Sequence, residues 1–399
     1  MNPIPYGKQH ITEEDINAVI EVLKSDYLTQ GPTILAFEHA FAQYIGAKYA
    51  VAVSNGTAAL HLAALALDVK DGDKVITTPI TFAASANCIR YCGGEVVFAD
   101  IDEETYLLDI EKVKKLLEAS PKGTYKGIVP VDFAGKAVDQ EAFRELADEY
   151  GLWIIEDACH APGGFFIDRN GDKQLCGNGK LADLSIFSFH PVKHIATGEG
   201  GMITTDNEEL YKKLIKLRTH GITRETSLFE NTPEFACGTE SEVYPGWYME
   251  MQALGYNYRI TDFQAALGLS QLKKADKGLQ RRVEIARKYD NAFKDVAGIT
   301  SQLNELTNEH SGHAYHLYVI QVENRLGLYN YLKDQQIFAQ VHYIPTHLMP
   351  YYREQGWKEG DFPIAEAYYK RCLSLPMYPS MTDEQQNYVI EKIINFVNS

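Results

Sequence analysis

Residues 152–160 read Leu152-Trp153-Ile154-Ile155-Glu156-Asp157-Ala158-Cys159-His160. A short apolar run from Leu152 to Ile155, of the kind that forms a strand covered on both faces, leads directly into two carboxylates. A carboxylate at the C-terminal end of a buried strand is costly unless something pairs with it, such as a protonated heterocycle nitrogen. The plainer alternative is an aspartate that caps the following turn, and His160 taken alone reads as a structural histidine. The surroundings have to decide between them.

Six further β-rich runs flank this one, at Ala50–Val53, Lys74–Thr77, Val96–Ala99, Ile128–Val131, Leu184–Phe189 and Met202–Thr205. Between most of them lie helical segments, at Ala58–Leu67, Ala83–Tyr91, Ile110–Glu118 and Gln140–Tyr150. Seven strands separated by crossover-length helices predict an α/β fold, a seven-stranded mostly parallel sheet with helices on both faces. Ligands then belong at the C-terminal strand ends. Upstream, Thr12 precedes the helical stripe Ile16, Val19, Ile20 and Leu23, with Asp15 in the capping-box position. Residues 227–254, acidic and aromatic with Pro233 and Pro245, break the rhythm as a long excursion. Beyond it, Asp262–Phe293 predicts a helix. Strands are expected at His316–Val322 and Phe338–His342 around a helix near Leu326–Gln335, and Thr382 with Gln385 opens a last helix. The expected division is a large domain with an N-terminal arm over residues 1–262 and a smaller C-terminal α/β domain over 263–399.

The chain has 399 residues, enough for two or three domains with proper cores. Lys plus Arg is 38 against 54 for Asp plus Glu, a net −16, so the surface as a whole repels polyanions and a nucleic-acid coat is excluded. A small anion remains admissible, because a helix N-terminus or a local cation cluster holds a phosphate whatever the total charge. Six cysteines without a C-x-x-C pair suggest neither a disulfide framework nor a thiolate zinc site, so no metal is expected. Free thiols fit the cytoplasm. Residues 1–15 lack a basic-then-apolar export signal, and the longest apolar stretch, Ala58–Leu67, is broken by His61, so no membrane span is expected.

Three more loops that follow predicted strands carry unusual polar residues. In Ser54-Asn55-Gly56-Thr57 a glycine lets backbone N–H groups and a hydroxyl point at an anion beside a helix N-terminus, with simple N-capping as the alternative. Ser188-Phe189-His190-Pro191-Val192-Lys193 runs on into Thr197-Gly198-Glu199-Gly200-Gly201. Most lysines sit on solvated faces, but Lys193 follows an apolar strand and precedes a glycine-rich turn. That context favours a desolvated amine with a lowered pKa, as Schiff-base chemistry needs. Phe82, after Thr81, is either a core aromatic or a flat surface for a planar ligand. Phosphate cradle, aromatic, carboxylate and lysine together match the needs of pyridoxal phosphate. No G-x-G-x-x-G follows the first strand, and neither G-x-x-x-x-G-K-[ST] nor H-E-x-x-H is present, so dinucleotide, P-loop and zincin readings lose ground.

On these residues the chain resembles the DegT/StrS family, fold-type I pyridoxal-phosphate aminotransferases that act on nucleotide-linked keto-sugars. The resemblance runs from Tyr27-Leu28-Thr29-Gln30-Gly31 through the four loops to Gly255-Tyr256-Asn257-Tyr258-Arg259, nearly the whole chain. It implies that Lys193 bonds to the cofactor, that Asp157 pairs with the ring nitrogen, and that Gly56, Thr57 and Ser188 hold the phosphate. It further implies that Phe82 stacks on the ring, that His160 lies near the phenolic oxygen or Asp157, and that Asn257 reaches the phosphate of a neighbouring subunit. Active sites would then be shared within a homodimer.

Val131–Lys136, Phe187–His190 and Ala339–Tyr343 are most similar to the pseudaminic acid branch of the family. That likeness implies amino transfer from L-glutamate to C4 of a UDP-linked 4-keto-6-deoxy-N-acetyl-hexose, with pyridoxamine phosphate carrying the amino group in the second half-reaction. Lys8, Arg224, Arg259 and the pair Arg281-Arg282 are candidates for the diphosphate, each also readable as a surface charge. His342 and Tyr343 are candidates for sugar or nucleotide. One position departs from the pattern, since many relatives carry histidine where this chain has Asp132. The alternatives are a sugar dehydratase, in which a histidine replaces the lysine and His194 adjoins Lys193, a C3 aminotransferase, and a non-catalytic binding protein on the same scaffold.

Overall fold

The computed structural model describes residues 3–302 and 311–399. All seven expected strands form: β1 (Tyr49–Val53), β2 (Lys74–Thr77), β3 (Glu95–Phe98), β4 (Tyr125–Val129), β5 (Trp153–Asp157), β6 (Leu184–Ser188) and β7 (Gly201–Thr205). They lie side by side in the order β1-β7-β6-β5-β4-β2-β3. From β6 to β3 every neighbouring pair is parallel, whereas β7 runs antiparallel to both β1 and β6. Successive strand residues face opposite sides, so Val51 and Val53 of β1 enter one core while Ala50 and Ala52 enter another. Both faces of the sheet are therefore covered. The loops after β1, β2, β4, β5 and β6 consequently leave the sheet at one edge, which fixes where a ligand belongs.

β1 is an edge strand, and its outward backbone groups have a specific answer. Glu38, from the helix Pro32–Ile45, is buried and accepts the Ala52 N–H at 2.8 Å. Arg218 donates to Glu38 at 2.5 Å and to the Ala52 carbonyl at 2.7 Å. The pair thus replaces the missing neighbour strand at Ala52, the last residue but one of β1 before the loop Ser54–Thr57.

A smaller antiparallel sheet joins Thr300–Ser301, Tyr318–Gln321 and Cys372–Leu375. It shares a core with the helices Ala275–Phe293 and Asp383–Val397 through Tyr289, Phe293, Ile320, Leu373, Val389 and Ile393. The capping box at Thr382 forms, with Thr382 N–H on Gln385 at 3.0 Å and Gln385 N–H on the Thr382 hydroxyl at 3.2 Å.

Four expectations need revision. The helix expected over 262–293 is two, Asp262–Leu272 and Ala275–Phe293, broken where Lys274 turns to bind the His10 carbonyl at 3.0 Å and the Asp15 carboxylate. Residues 338–342 form no strand, because Phe338 N–H bonds the N-terminal arm at Ile4 O (2.9 Å) and Gln340 makes only an isolated bridge to Ser374. The helix Glu13–Leu23 has its capping box, Thr12 N–H on Asp15 at 2.8 Å. Yet Ile16, Ile20 and Leu23 stay exposed and Asp15 is the buried residue, held also by Gln271 at 2.8 Å. The excursion is more ordered than its composition implies. Ile222–Thr223 pairs with Glu250–Met251, and the Glu250 carboxylate gathers the N–H groups of Glu230 and Asn231 at 2.8 and 2.9 Å.

The six cysteines are unpaired, and among the described residues no helix is long and apolar enough to cross a membrane. Removing one member of a buried ion pair leaves an uncompensated charge, so Arg218→Ala is expected to cost about 3–5 kcal/mol in urea unfolding. A loss below about 1 kcal/mol would mean that the edge of β1 does not depend on the pair.

Candidate active site

At the end of β1, Asn55 caps the helix Gly56–Ala66, its side-chain oxygen accepting Ala58 N–H at 2.8 Å. The first N–H groups of a helix have no partner within it, and here Gly56 and Thr57 line a cavity of about 680 Å³. Ser188, at the end of β6, lines it beside Gly56. A Cβ on Gly56 would stand 3.0 Å from that of Ser188, so the absence of a side chain lets the two loops close around a small group.

Asp157 ends β5 and also lines the cavity, with only 5% of its surface exposed. Its carboxylate accepts the Ser85 hydroxyl at 2.6 Å and the Cys159 N–H at 3.2 Å, and Thr81 holds Ser85 in turn at 2.7 Å. All these contacts are hydrogen bonds from uncharged groups. A buried anion oriented in this way suits a cationic partner arriving from the cavity.

Lys193 enters the same space, its Nζ 3.4 Å from His316 Nε2. Burial pushes its ammonium below the ordinary lysine range, opposed by Cys159 and Asp157, so the free amine is more accessible than on a surface lysine. His194 turns away instead, its Nε2–H donating to the Ala314 carbonyl at 2.8 Å. The residue presented to the cavity is therefore the lysine, which removes the histidine that the dehydratase alternative requires.

His160 is held in one tautomer. Its Nδ1 accepts the Ala134 N–H at 3.2 Å, so in the neutral ring Nε2 carries the proton, 3.2 Å from the Tyr343 hydroxyl. Burial, then the neighbouring Lys193, hold the ring far below the usual histidine range. His316, 4.3 Å away between ring centroids, is depressed for the same reasons, and burial with Lys193 brings His342 to about 3.

The residues fit pyridoxal phosphate. A helix N-terminus beside Ser188 suits the phosphate, Asp157 a protonated ring nitrogen, and Lys193 a carbonyl carbon. Residues 9–394 match the DegT/DnrJ/EryC1/StrS aminotransferase family. The chain belongs to this family. It is a pyridoxal-phosphate-dependent aminotransferase, and a structural neighbour, the putative sugar aminotransferase Spr1654 of Streptococcus pneumoniae, has been solved in both the pyridoxal- and pyridoxamine-phosphate forms.

Among its relatives, the spore coat polysaccharide biosynthesis protein SpsC of Bacillus subtilis is 42% identical over 402 residues, covering 99% of this chain and 97% of that protein. The UDP-4-amino-4,6-dideoxy-N-acetyl-beta-L-altrosamine transaminase of Campylobacter jejuni is 35% identical, covering 99% and 97%. The solved aminotransferase PseC of Helicobacter pylori, involved in pseudaminic acid biosynthesis, superposes with a TM-score of 0.86 at 31% identity over the full length of both chains.

In this DegT/DnrJ/EryC1/StrS enzyme the cavity also receives Phe82, His342 and Tyr343. It does not receive Lys8, Arg224, Arg259 or Asn257. Lys8 lines a separate recess with Pro5, Phe338 and Tyr378, Arg224 is exposed beside Met249, and Asn257 is exposed and paired through its backbone with Thr219. Arg259 is bridged to Val53. The pair Arg281-Arg282 is already engaged. Arg282 is 1% exposed and donates to the carbonyls of Tyr315, His316 and Met377 at 3.1–3.3 Å, while Arg281 binds Asp383 at 2.9 Å.

A larger recess of about 850 Å³, near Tyr106, Asp290 and Gln302, contains none of the residues singled out from sequence. The lining residues given no role from sequence include Tyr6, Ser85 and His316. Ser85, four residues after Thr81 in the first turn of the helix Ala84–Tyr91, is the one with a local signal. His316 and Tyr6 arrive from the far ends of the chain.

A hydrogen bond to a charged acceptor is worth about 1.5–3 kcal/mol, so Ser85→Ala is expected to weaken pyridoxal-phosphate binding by about 10- to 150-fold in an absorbance titration. ¹⁵N spectra are expected to show His160 protonated at Nε2 alone across neutral pH; a ring that takes up a second proton near pH 6.5 would contradict this network.

Proposed function

We propose that the enzyme moves the amino group of L-glutamate to C4 of a UDP-linked 4-keto-6-deoxy-N-acetyl-hexose, giving a 4-amino sugar nucleotide. The amino transfer rests on one observation above others, the Lys193 amine reaching the cavity that Asp157 and the N-terminus of the helix Gly56–Ala66 also line. The choice of sugar is supported by the overall likeness to the altrosamine transaminase and to PseC.

When bound, pyridoxal phosphate supplies the electron sink for charge developing at the amino-bearing carbon. Lys193 Nζ, which reaches the same cavity, would serve as the base and then the acid that moves the proton of the amino-bearing carbon. Asp157 would pair with the protonated ring nitrogen, and Ser85 with the Cys159 N–H hold the carboxylate in place for it. Gly56, Thr57 and Ser188 would hold the phosphate, Phe82 would stack on the ring, and His160 would lie near the phenolic oxygen or Asp157. Tyr6, whose ring centroid is 5.4 Å from that of His342, joins His342 and Tyr343 as the surface for the sugar.

Asn257 is exposed and outside its own chain's cavity, which suits a homodimer in which it would complete the partner's phosphate site. Lys8, Arg224 and Arg259 would meet the diphosphate in the same assembly. The unpaired cysteines suit a cytoplasmic enzyme.

Purified enzyme, glutamate and a panel of UDP- and dTDP-linked 3-keto and 4-keto sugars test the reading through 2-oxoglutarate release. The UDP 4-keto-6-deoxy-N-acetyl sugar is expected to exceed the others in kcat/KM by about 100-fold, roughly what loss of a buried polar partner costs. Equal turnover of a dTDP-linked 3-keto sugar would overturn the assignment. Borohydride is expected to trap cofactor on Lys193, and a Lys193→Arg enzyme that still turned over steadily would overturn the mechanism itself.

A further inference from the structure

Glu156 and Asp157 are successive residues of β5, so their side chains leave opposite faces of the sheet. Asp157 faces the cavity, and Glu156 points into the protein behind it, where it meets Asp132 from the loop after β4. Both are buried, at 3% and 0% exposure. Glu156 accepts from two donors in three contacts: Gly177 N–H lies 2.9 and 3.1 Å from its two oxygens, and the Ser185 hydroxyl is 2.6 Å away. Asp132 Oδ1 accepts Val138 N–H at 3.0 Å, but buried Oδ2 has no donor among the described residues. A carboxylate oxygen of each residue and the sulfur of Cys176 lie within 4.8 Å of one another. The other titratable groups facing the pair are Asp157 and the Cys159 and Cys176 thiols, acids without exception.

We propose that Asp132 and Glu156 share one proton across a carboxyl–carboxylate hydrogen bond, and that this pair is the positioning device for Asp157 and His160. The proton gives Asp132 Oδ2 its missing partner and leaves one negative charge where two would repel. Because Glu156 already receives three donor contacts, the charge rests there and the proton on Asp132. Burial, followed by the neighbouring Glu156, accordingly raises Asp132 well above the usual aspartate range, and burial raises Glu156.

The pair reaches the active site through the backbone. Asp132 N–H donates to the Asp157 carbonyl at 3.1 Å, and Asp157 N–H donates to Pro130 O at 2.9 Å. Asp132 also opens the turn Phe133–Gly135, in which Ala134 has φ of 62°. That left-handed conformation is unfavourable for alanine, and it aims the Ala134 N–H at His160 Nδ1. Asp132 ties both ends of the turn, through its backbone to Asp157 and through its side chain to Val138. A cation would be the other way to hold three such groups, but the free direction on Glu156 is a single one.

The test uses the apoprotein for the proton and the holoenzyme for the positioning, so it does not depend on which sugar is the substrate. Two carboxyls with raised pKa retain in the fold a proton that the unfolded chain releases. The wild-type fold therefore loses stability as pH rises from the ordinary carboxylate range toward the folded value. Asp132→Asn keeps a donor toward Glu156 and has no proton to lose. Its melting temperature relative to wild type is expected to rise by about 3–6 °C between about pH 5 and pH 8. Asp132→Asn is expected to keep the dissociation constant for pyridoxal phosphate within about threefold, whereas Asp132→Ala raises it about tenfold or more and alters the ¹⁵N shifts of His160. Glu156→Gln, which turns a donor toward Gly177 N–H, is expected to melt below Asp132→Asn at every pH. A melting difference that is flat with pH would overturn the proposal. So would a metal ion recovered stoichiometrically whose removal lowers the melting temperature, or an Asp132→Ala protein that binds cofactor like wild type. If Asp132→Ala does not fold, the Asp132→Asn and Glu156→Gln series decides alone.

Discussion

Asp157 is a nearly fully buried carboxylate whose contacts from its own chain are a hydroxyl and a backbone N–H. An ionised group in that position is stable only when a positive charge comes to it or when every other charge nearby is managed, and the neighbourhood does the second while waiting for the first. Burial keeps His160, His316 and His342 neutral, and it weakens the ammonium of Lys193. On the far side of β5 the acid pair carries one negative charge in place of two. What remains is a cavity with an oriented anion at one end and a helix N-terminus at the other. That is the charge pattern of a cationic ring bearing a phosphate.

The sheet makes this arrangement possible at low cost. Parallel strands deliver their following loops to one edge, so residues as distant in sequence as Gly56 and Lys193 line one cavity without any long excursion of backbone. Close approach is then a matter of side-chain volume: Gly56 lies against Ser188, and a Cβ on Gly201 would come within 2.6 Å of the Asn55 carbonyl. β7 runs against its neighbours, which lets the glycine-rich turn after Lys193 lead directly back beneath the phosphate loop. Glu38 and Arg218 close the open edge of β1 one residue before Val53, the last of the strand.

Local pattern was informative where the physics is local. Apolar runs such as Leu152–Ile155 and turn residues such as Ser54–Thr57 announce strands and their ends because burial and φ preferences act residue by residue. It failed where a distant partner intervenes. Phe338–His342 has strand composition, but the N-terminal arm takes its hydrogen bonds. Asp262–Phe293 has helical periodicity throughout, yet Lys274 is drawn to Asp15 and His10. The stripe Ile16, Ile20 and Leu23 has the spacing of a buried face and is exposed in the single chain, since the contact made by that helix runs through buried Asp15. Arg282 looked like a free cation and is instead spent on three carbonyls.

The amino-acid sequence by itself announced the α/β sheet, the edge at which its loops gather, and seven of the eight residues expected to meet the cofactor, Gly56, Thr57, Phe82, Asp157, His160, Ser188 and Lys193, which line one cavity while Asn257 does not. Each of those residues carries a local mark: a strand end, a helix start, a glycine, or a charge next to an apolar run. Only the tertiary structure decided that Lys193 and not His194 faces inward, that Ser85 orients Asp157, that His316 stands beside the amine, and that Asp132 meets Glu156 behind the site. Those facts depend on which side chains from remote segments share a few ångströms of low-dielectric space, where proton positions and charges are settled jointly. No single stretch of sequence contains that information.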